Sequence, residues 1–144
     1  ICDLRFWICD LRFWICDFCD AMENKKNNAQ QMEDRLIDFA TRTLDMVERL
    51  PSTSTARHLG GQIMRSATSP VLNYGEVRAA ESEADFVHKM KICSKELRET
   101  FICIKLIDHR KWFKDNQLNP LLQKNNELIA MFTSSLKTIS QKKT

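Results

Sequence analysis

One stretch constrains this chain more than any other: Gln62 to Ser82, QIMRSATSPVLNYGEVRAAES. Ile63, Ala67, Val71 and Tyr74 recur at helical spacing and form an apolar face. Gln62, Ser66, Ser69, Asn73 and Glu76 step by four, three, four and three, forming a polar stripe beside it. Pro70 removes a backbone donor and predicts a bend near Ser66, and Gly75 adds a second weak point. Small, polar and helix-breaking residues at this density suit a helix enclosed by others, with polar groups bonding across the contact. The stretch is therefore expected to be the central helix of a bundle, its polar stripe facing something specific.

The remaining segments supply the partners. A first helix is expected over about Met32 to Leu50, with Leu36, Ala40, Thr43, Leu44, Val47 and Leu50 inward and Asp34, Asp38, Arg42, Asp45 and Arg49 in water. Pro51 ends it, and Ser52 to Thr55 offer several N-caps for a second helix over about Ala56 to Ala80, where Gly60 and Gly61 permit close approach of a neighbour. Ser82 reads as the next N-cap, with Glu83 and Asp85 in the dipole-favoured first turn. The third helix, roughly Glu83 to Lys111, carries a seam of Phe86, Met90, Cys93, Leu97, Phe101, Ile104 and Ile107. Asp115 or Asn116 is expected to start a fourth, with Leu118, Leu121, Leu122, Leu128, Ile129, Phe132, Leu136 and Ile139 facing the core. Short loops between long amphipathic helices predict an all-α, antiparallel up-and-down four-helix bundle over residues 32–140. With three Gly, three Pro and 43% hydrophobic residues in 144, composition agrees with one helical domain.

Residues 1–21 stand apart. ICDLRFW occurs twice in succession and is followed by ICDF and CD before Met22. Two copies are too few for a heptad coiled coil. A codon set for the heptapeptide is close to a short nucleotide repeat read through three frames, so the segment reads as translated upstream DNA or a cloning scar, with Met22 the expected native start. Asp3, Arg5, Asp10, Arg12 and Asp17 interrupt every apolar run, which argues against a secretory signal. Two Arg and four Asp belong to this extension, so without it the net charge rises from +3 to +5. Cys2, Cys9, Cys16 and Cys19 also belong to it; Cys16 and Cys19 form a C-x-x-C without the second pair a zinc site needs. Residues 22–31 read as a flexible polar lead-in and 141–144 as a solvated tail. No segment approaches transmembrane length, and a soluble, cytoplasmic protein without membrane contact is expected.

RSATSPVLNYGE, followed by SEADFVHKMKICSKELRET, resembles a bacterial four-helix-bundle family. That family includes the proteins encoded by intervening sequences of 23S ribosomal RNA genes and the accessory variability determinant of diversity-generating retroelements. The resemblance runs from about Arg35 to Lys111 and is dense between Gln62 and Thr100; residues 1–21 have no counterpart in it. Arg65, Ser66, Ser69, Asn73 and Glu76 belong to the matching motif and are candidate interface positions. The resemblance implies a ring-shaped homopentamer without known enzymatic activity. For the retroelement branch it implies binding to nucleic acid and to a reverse transcriptase.

Chemistry-bearing residues are sparse. No catalytic, cofactor-binding or metal-ligating set stands out, and the chain is not expected to be an enzyme. Asp85 and His88 form one carboxylate-x-x-His element, where a di-iron bundle needs two and further inward carboxylates. Cys93 and Cys103 have apolar neighbours and read as inert core thiols. Gly60-Gly61 lacks the lysine and preceding strand of a phosphate loop.

One surface feature rises above this background. His88, Lys91, Lys95, Arg98, Lys105 and His109 share one stripe of the third helix, broken only by Ile102 and about 30 Å long at 1.5 Å per residue. Like charges at such spacing disfavour an isolated helix by a few tenths of a kcal/mol per pair, roughly. Three readings stay open: a solvated face partly compensated by Glu99, a nucleic-acid surface for RNA or DNA, and salt bridges between subunits. Ile92, Ile102 and Leu106 beside the seam, with Trp112 and Phe113 at its end, add apolar surface that predicts a homo-oligomer. The function expected is a non-enzymatic accessory protein that binds nucleic acid, a ribonucleoprotein or a reverse transcriptase. The alternative is a structural or protein-interaction module of the intervening-sequence type.

Overall fold

The computed structural model describes the backbone of residues 4–141 and the side chains of residues 22–141. Four helices follow in order: α1, Leu4–Glu48; α2, Ser54–Arg78; α3, Glu83–His109; and α4, Asn119–Gln141. No strand occurs among the described residues. The chain divides into two units, Ile1–Met32 and Glu33–Thr144. The first contains the leading part of α1, and the bundle lies in the second. The C-x-x-C at Cys16 and Cys19, and the tail beyond Gln141, lie outside the described side chains.

Contacts along the second unit fix its topology. The end of α1 meets the start of α2 where Val47 and Leu50 approach Gly60, and Arg78 at the end of α2 pairs with Glu33. On α2 and α3, Ser66 meets Thr100 and Glu76 meets Lys89. On α1 and α4, Asp38 lies 3.4 Å from Lys124, and Arg35 contacts the Met131 sulfur at 3.8 Å. Each pair runs in opposite directions, and Tyr74 of α2 packs edge-on against Phe132 of α4, centroids 5.9 Å apart. The expected all-α, up-and-down four-helix bundle is the fold found.

The core follows the helical periodicity with additions. Leu36, Ala40 and Thr43 are buried as expected, while Leu44, Val47 and Leu50 are half-buried. Phe39 and Met46, outside the expected inward set, are fully enclosed because α1 is covered over a wider arc than one narrow seam. On α3, Met90, Cys93, Leu97, Ile104 and Ile107 are buried, and Phe86 and Phe101 are half-buried at the seam's edge.

Helix ends show which local signals prevailed. Thr53 caps α2, accepting from the Ala56 N–H at 3.2 Å, and Ser82 caps α3, accepting from the Asp85 N–H at 3.1 Å. Two boundaries differ from expectation. Residues 22–31, expected as a flexible lead-in, are helical within α1. Glu23, Lys25, Lys26, Ala29, Gln30 and Gln31 favour helix and outweigh Asn24, Asn27 and Asn28, and extending an existing helix avoids a new nucleation cost; polarity there marks solvation, not loss of structure. The fourth helix starts at Asn119, after a turn over 115–118, instead of at Asp115 or Asn116. Pro120 explains this. It has no N–H to give to the Asn116 carbonyl, so it suits the first turn of a helix and opposes an earlier start.

Candidate nucleic-acid interface

The polar stripe of α2 turns toward α3. Ser66 is fully buried, and its hydroxyl hydrogen-bonds with that of Thr100 at 2.9 Å. Asn73 donates to the Ser69 carbonyl at 2.9 Å and to its hydroxyl at 3.0 Å, so those two residues satisfy each other locally. At the edges of the stripe, Arg65 bonds Gln62 and lies 3.5 Å from Glu99, and Glu76 bonds Lys89. By accepting that hydrogen bond, the Glu76 carboxylate holds the Lys89 pKa above its ordinary value. Ser66 and Glu76 of this stripe thus reach side chains of α3, Ser69 and Asn73 bond each other, and Arg65 and Glu76 are exposed at its margins.

Because the apolar seam and Thr100 occupy the inner face of α3, the basic residues point outward. His88, Lys91, Lys95, Arg98, Lys105 and His109 are all exposed. Among the described residues, Lys91, Lys95 and Arg98 form no ion pair. Glu99, the expected compensation for Lys95, leans across to Arg65 instead. The Lys105 ammonium lies 5.7 Å from the centre of the Phe101 ring, a cation–π distance, and His109 Nδ1 is 2.9 Å from the Lys105 carbonyl. Ile102 and Leu106, one helical turn apart on the same outer face, are 55% and 50% exposed.

Other titratable positions are arranged differently. Asp85 lies 4.0 Å from Lys89, and the neighbouring His88 is exposed. Burial pushes the Cys93 thiol up to about 12, with its sulfur 3.7 Å from the Pro70 carbonyl, and burial also raises Cys103. Both thiols are free, and at neutral pH both stay protonated and unreactive. Among the described residues, no three His, Cys, Asp or Glu come together as a metal cluster, and no helix is long and apolar enough to cross a membrane.

Residues 28–134 match the model of the family described as 23S rRNA-intervening sequence protein. The chain belongs to that family. A solved structure from Bacteroides thetaiotaomicron, described as a protein with unknown function from the S23 ribosomal protein family, is similar with a TM-score of 0.70. It is 27% identical, and the match covers 76% of this chain and 97% of that one. No curated protein matches the chain. Membership of that family bears out the intervening-sequence part of the resemblance read from Arg65–Glu76 and Ser82–Thr100.

Two features were absent from the expected site. Thr100, the buried partner of Ser66, sits between seam residues Leu97 and Ile104, so its spacing alone marks it as inward. The end of α3 and the start of the α3–α4 connection, residues 109–114, interleave four basic residues with Trp112 and Phe113, a composition visible in the sequence but treated there only as the end of a seam.

Proposed function

We propose that this protein is a non-enzymatic, oligomeric accessory factor that binds structured RNA or DNA through the outer face of α3. The observation that carries the reading is the exposure of Lys91, Lys95, Arg98 and Lys105 on one face, with Glu99 drawn away to Arg65. Each lysine or arginine that meets a phosphate releases condensed counterions, so affinity should fall steeply with salt. Several copies in one assembly would add weak phosphate contacts through multivalency; a homopentamer is the arrangement that the family resemblance implies. A reverse transcriptase is the protein partner suggested by the retroelement side of that resemblance.

The test is a salt-dependent titration of an RNA hairpin and a DNA duplex with the parent chain and with Lys91→Gln, Lys95→Gln, Arg98→Gln combined. Glutamine keeps helix propensity while removing charge. Binding should weaken equally on all sequences, with a salt slope shallower by up to about three contacts. No binding by the parent at low salt, or unchanged binding by the triple variant, rejects the reading.

Exposed Ile102 and Leu106 favour a second reading, in which the face serves protein assembly without nucleic acid. Light scattering at micromolar concentration separates the cases. An oligomer that dissociates on Ile102→Lys and Leu106→Lys, in a protein without nucleic-acid affinity, supports the second reading. A monomer mass for the parent rejects assembly in either.

A further inference from the structure

The α3 stripe runs into the connection between α3 and α4, and there two arginines lie over aromatic rings. The Arg110 guanidinium lies 5.3 Å from the centre of the Trp112 ring, and that of Arg49, from the end of α1, lies 6.0 Å from the centre of Phe113. Both rings are half-buried and both arginines are exposed. Each aromatic therefore rests on the bundle's end and carries a planar cation on the solvent side. Of the carboxylates near the loop, Asp115 takes Lys111 at 2.8 Å, and Asp108 also acts on Lys111 electrostatically. Among the described residues, Arg49, Arg110 and Lys114 form no ion pair.

Side-chain and backbone hydrogen bonds hold residues 114–119 in shape. The Gln117 side chain accepts from the Lys114 N–H at 3.1 Å, and the Gln117 N–H donates to the Lys114 carbonyl at 3.1 Å. Asn119 donates to the Asn116 side chain at 2.9 Å. Lys111 adopts φ 56°, the left-handed conformation that usually falls to glycine just past a helix end. The lysine there pairs with Asp115 across the turn, a contact that glycine could not make.

We propose that the Arg110–Trp112 stack is a site for an unpaired nucleotide, so that the preferred ligand is a duplex or hairpin carrying a single-stranded flank. The inference builds on the reading of α3 as a phosphate-binding face. The cations spaced along α3 suit a continuous phosphate backbone. An exposed guanidinium backed by an aromatic ring offers a planar cationic surface on which any unpaired base can stack, and a paired base inside a helix cannot reach it. Arg110 follows Lys105 by five residues, close enough for one strand to pass from the stripe to the loop.

The experiment uses the full chain and three labelled ligands: a blunt RNA hairpin, the same hairpin with a five-nucleotide flank, and the flank alone. The flank should tighten binding about tenfold, the scale of one stacked base. Trp112→Leu and Arg110→Gln should each remove most of that gain and leave blunt-hairpin affinity and its salt slope unchanged. Arg110 is exposed, so its variant keeps the fold even if the Trp112 variant does not. In a Trp7→Phe, Trp14→Phe background, Trp112 is the only tryptophan, and its fluorescence should be quenched by the flanked hairpin and not by the blunt one. A flank that adds nothing, or a gain that survives Arg110→Gln, overturns the loop site and leaves the α3 reading standing. Binding of the flank alone, with Trp112 quenching and no affinity for the blunt hairpin, keeps the loop site and removes the α3 reading. No binding of any ligand at low salt removes both.

Discussion

Two places in the bundle bury polar side chains to the same degree and treat them oppositely. Between α2 and α3, Ser66 and Thr100 are 0% exposed and hydrogen-bonded to one another at 2.9 Å. Thr100 also lies 2.9 Å from the Glu96 carbonyl, so the two hydroxyls form a short chain that ends on the backbone. On α4, Asn125 is equally enclosed, yet neither its Oδ1 nor its Nδ2 has a partner within the protein. The first arrangement joins two helices at a defined height. The second costs about 1–3 kcal/mol, the usual penalty for a buried polar group left unmade. Burial alone therefore says nothing about whether a polar residue stabilises this bundle; the partner decides.

Placing a charge at Asn125 should give the largest effect. Asn125→Asp puts a carboxylate in a site with no partner, and about 3–5 kcal/mol should be lost at neutral pH. Burial raises the folded-state pKa of such an acid above its unfolded value near 4. The sign follows: both states are protonated at low pH, so the deficit is small there and grows as pH rises above about 4. Urea midpoints across pH 3 to 8 should show that trend. A flat profile would mean that the site admits solvent.

Asn125→Leu tests the same position without charge. Leucine keeps the branching of asparagine and needs no hydrogen bond, so the bundle should gain about 1–2 kcal/mol after some loss to tighter packing. A thermal scan reads this directly. A lower midpoint would show that the amide has a bonding role that a second copy of the chain or a bound molecule completes, and would break the comparison.

The satisfied pair should respond more mildly. Ser66→Ala and Thr100→Val, taken singly and together, form a double-mutant cycle with an expected coupling near 1 kcal/mol. Additive losses would show that each hydroxyl serves only its own helix, through the Ile63 and Glu96 carbonyls.

How much of this was legible in the sequence depends on the kind of signal. Periodicity places the bundle, the Leu97 and Ile63 faces and the outward lysines, because one helical turn allows few alternatives. Thr53 and Ser82 as caps follow from local chemistry. Asn125 stands four residues after Leu121 and three before Leu128, so its inward position was also readable, and only its lack of a partner required the fold. Long-range choices were not readable. Whether Glu99 serves Lys95 on its own helix or Arg65 on α2 depends on the distance between helices, which no spacing rule contains. The late start of α4 was readable from Pro120, but the acidic and amide residues before it gave a competing start signal.

The smallest effect applies the comparison to two adjacent glycines of α2, which composition makes identical. A Cβ on Gly60 would lie 3.1 Å from Val47 Cγ1 and 3.4 Å from Leu50 Cδ1, whereas one on Gly61 would meet nothing within 4 Å. Only Gly60 thus serves the close helix approach expected of both. Gly61→Ala should stabilise the bundle by about 0.5–1 kcal/mol through reduced unfolded-state freedom and better helix propensity. Gly60→Ala should fall short of that gain, because Val47 and Leu50 must shift to admit the methyl. Gly61 shares the outer side of α2 with exposed Met64 and Leu72, so the substitution also probes assembly. If that side meets another copy of the chain, Gly61→Ala will lower the oligomer mass in light scattering while raising the melting point of the dissociated form. If both glycines respond alike in dilute solution, the space seen beside Gly61 is not the reason for the difference, and the contact that Gly60 makes with α1 is not holding the helices together.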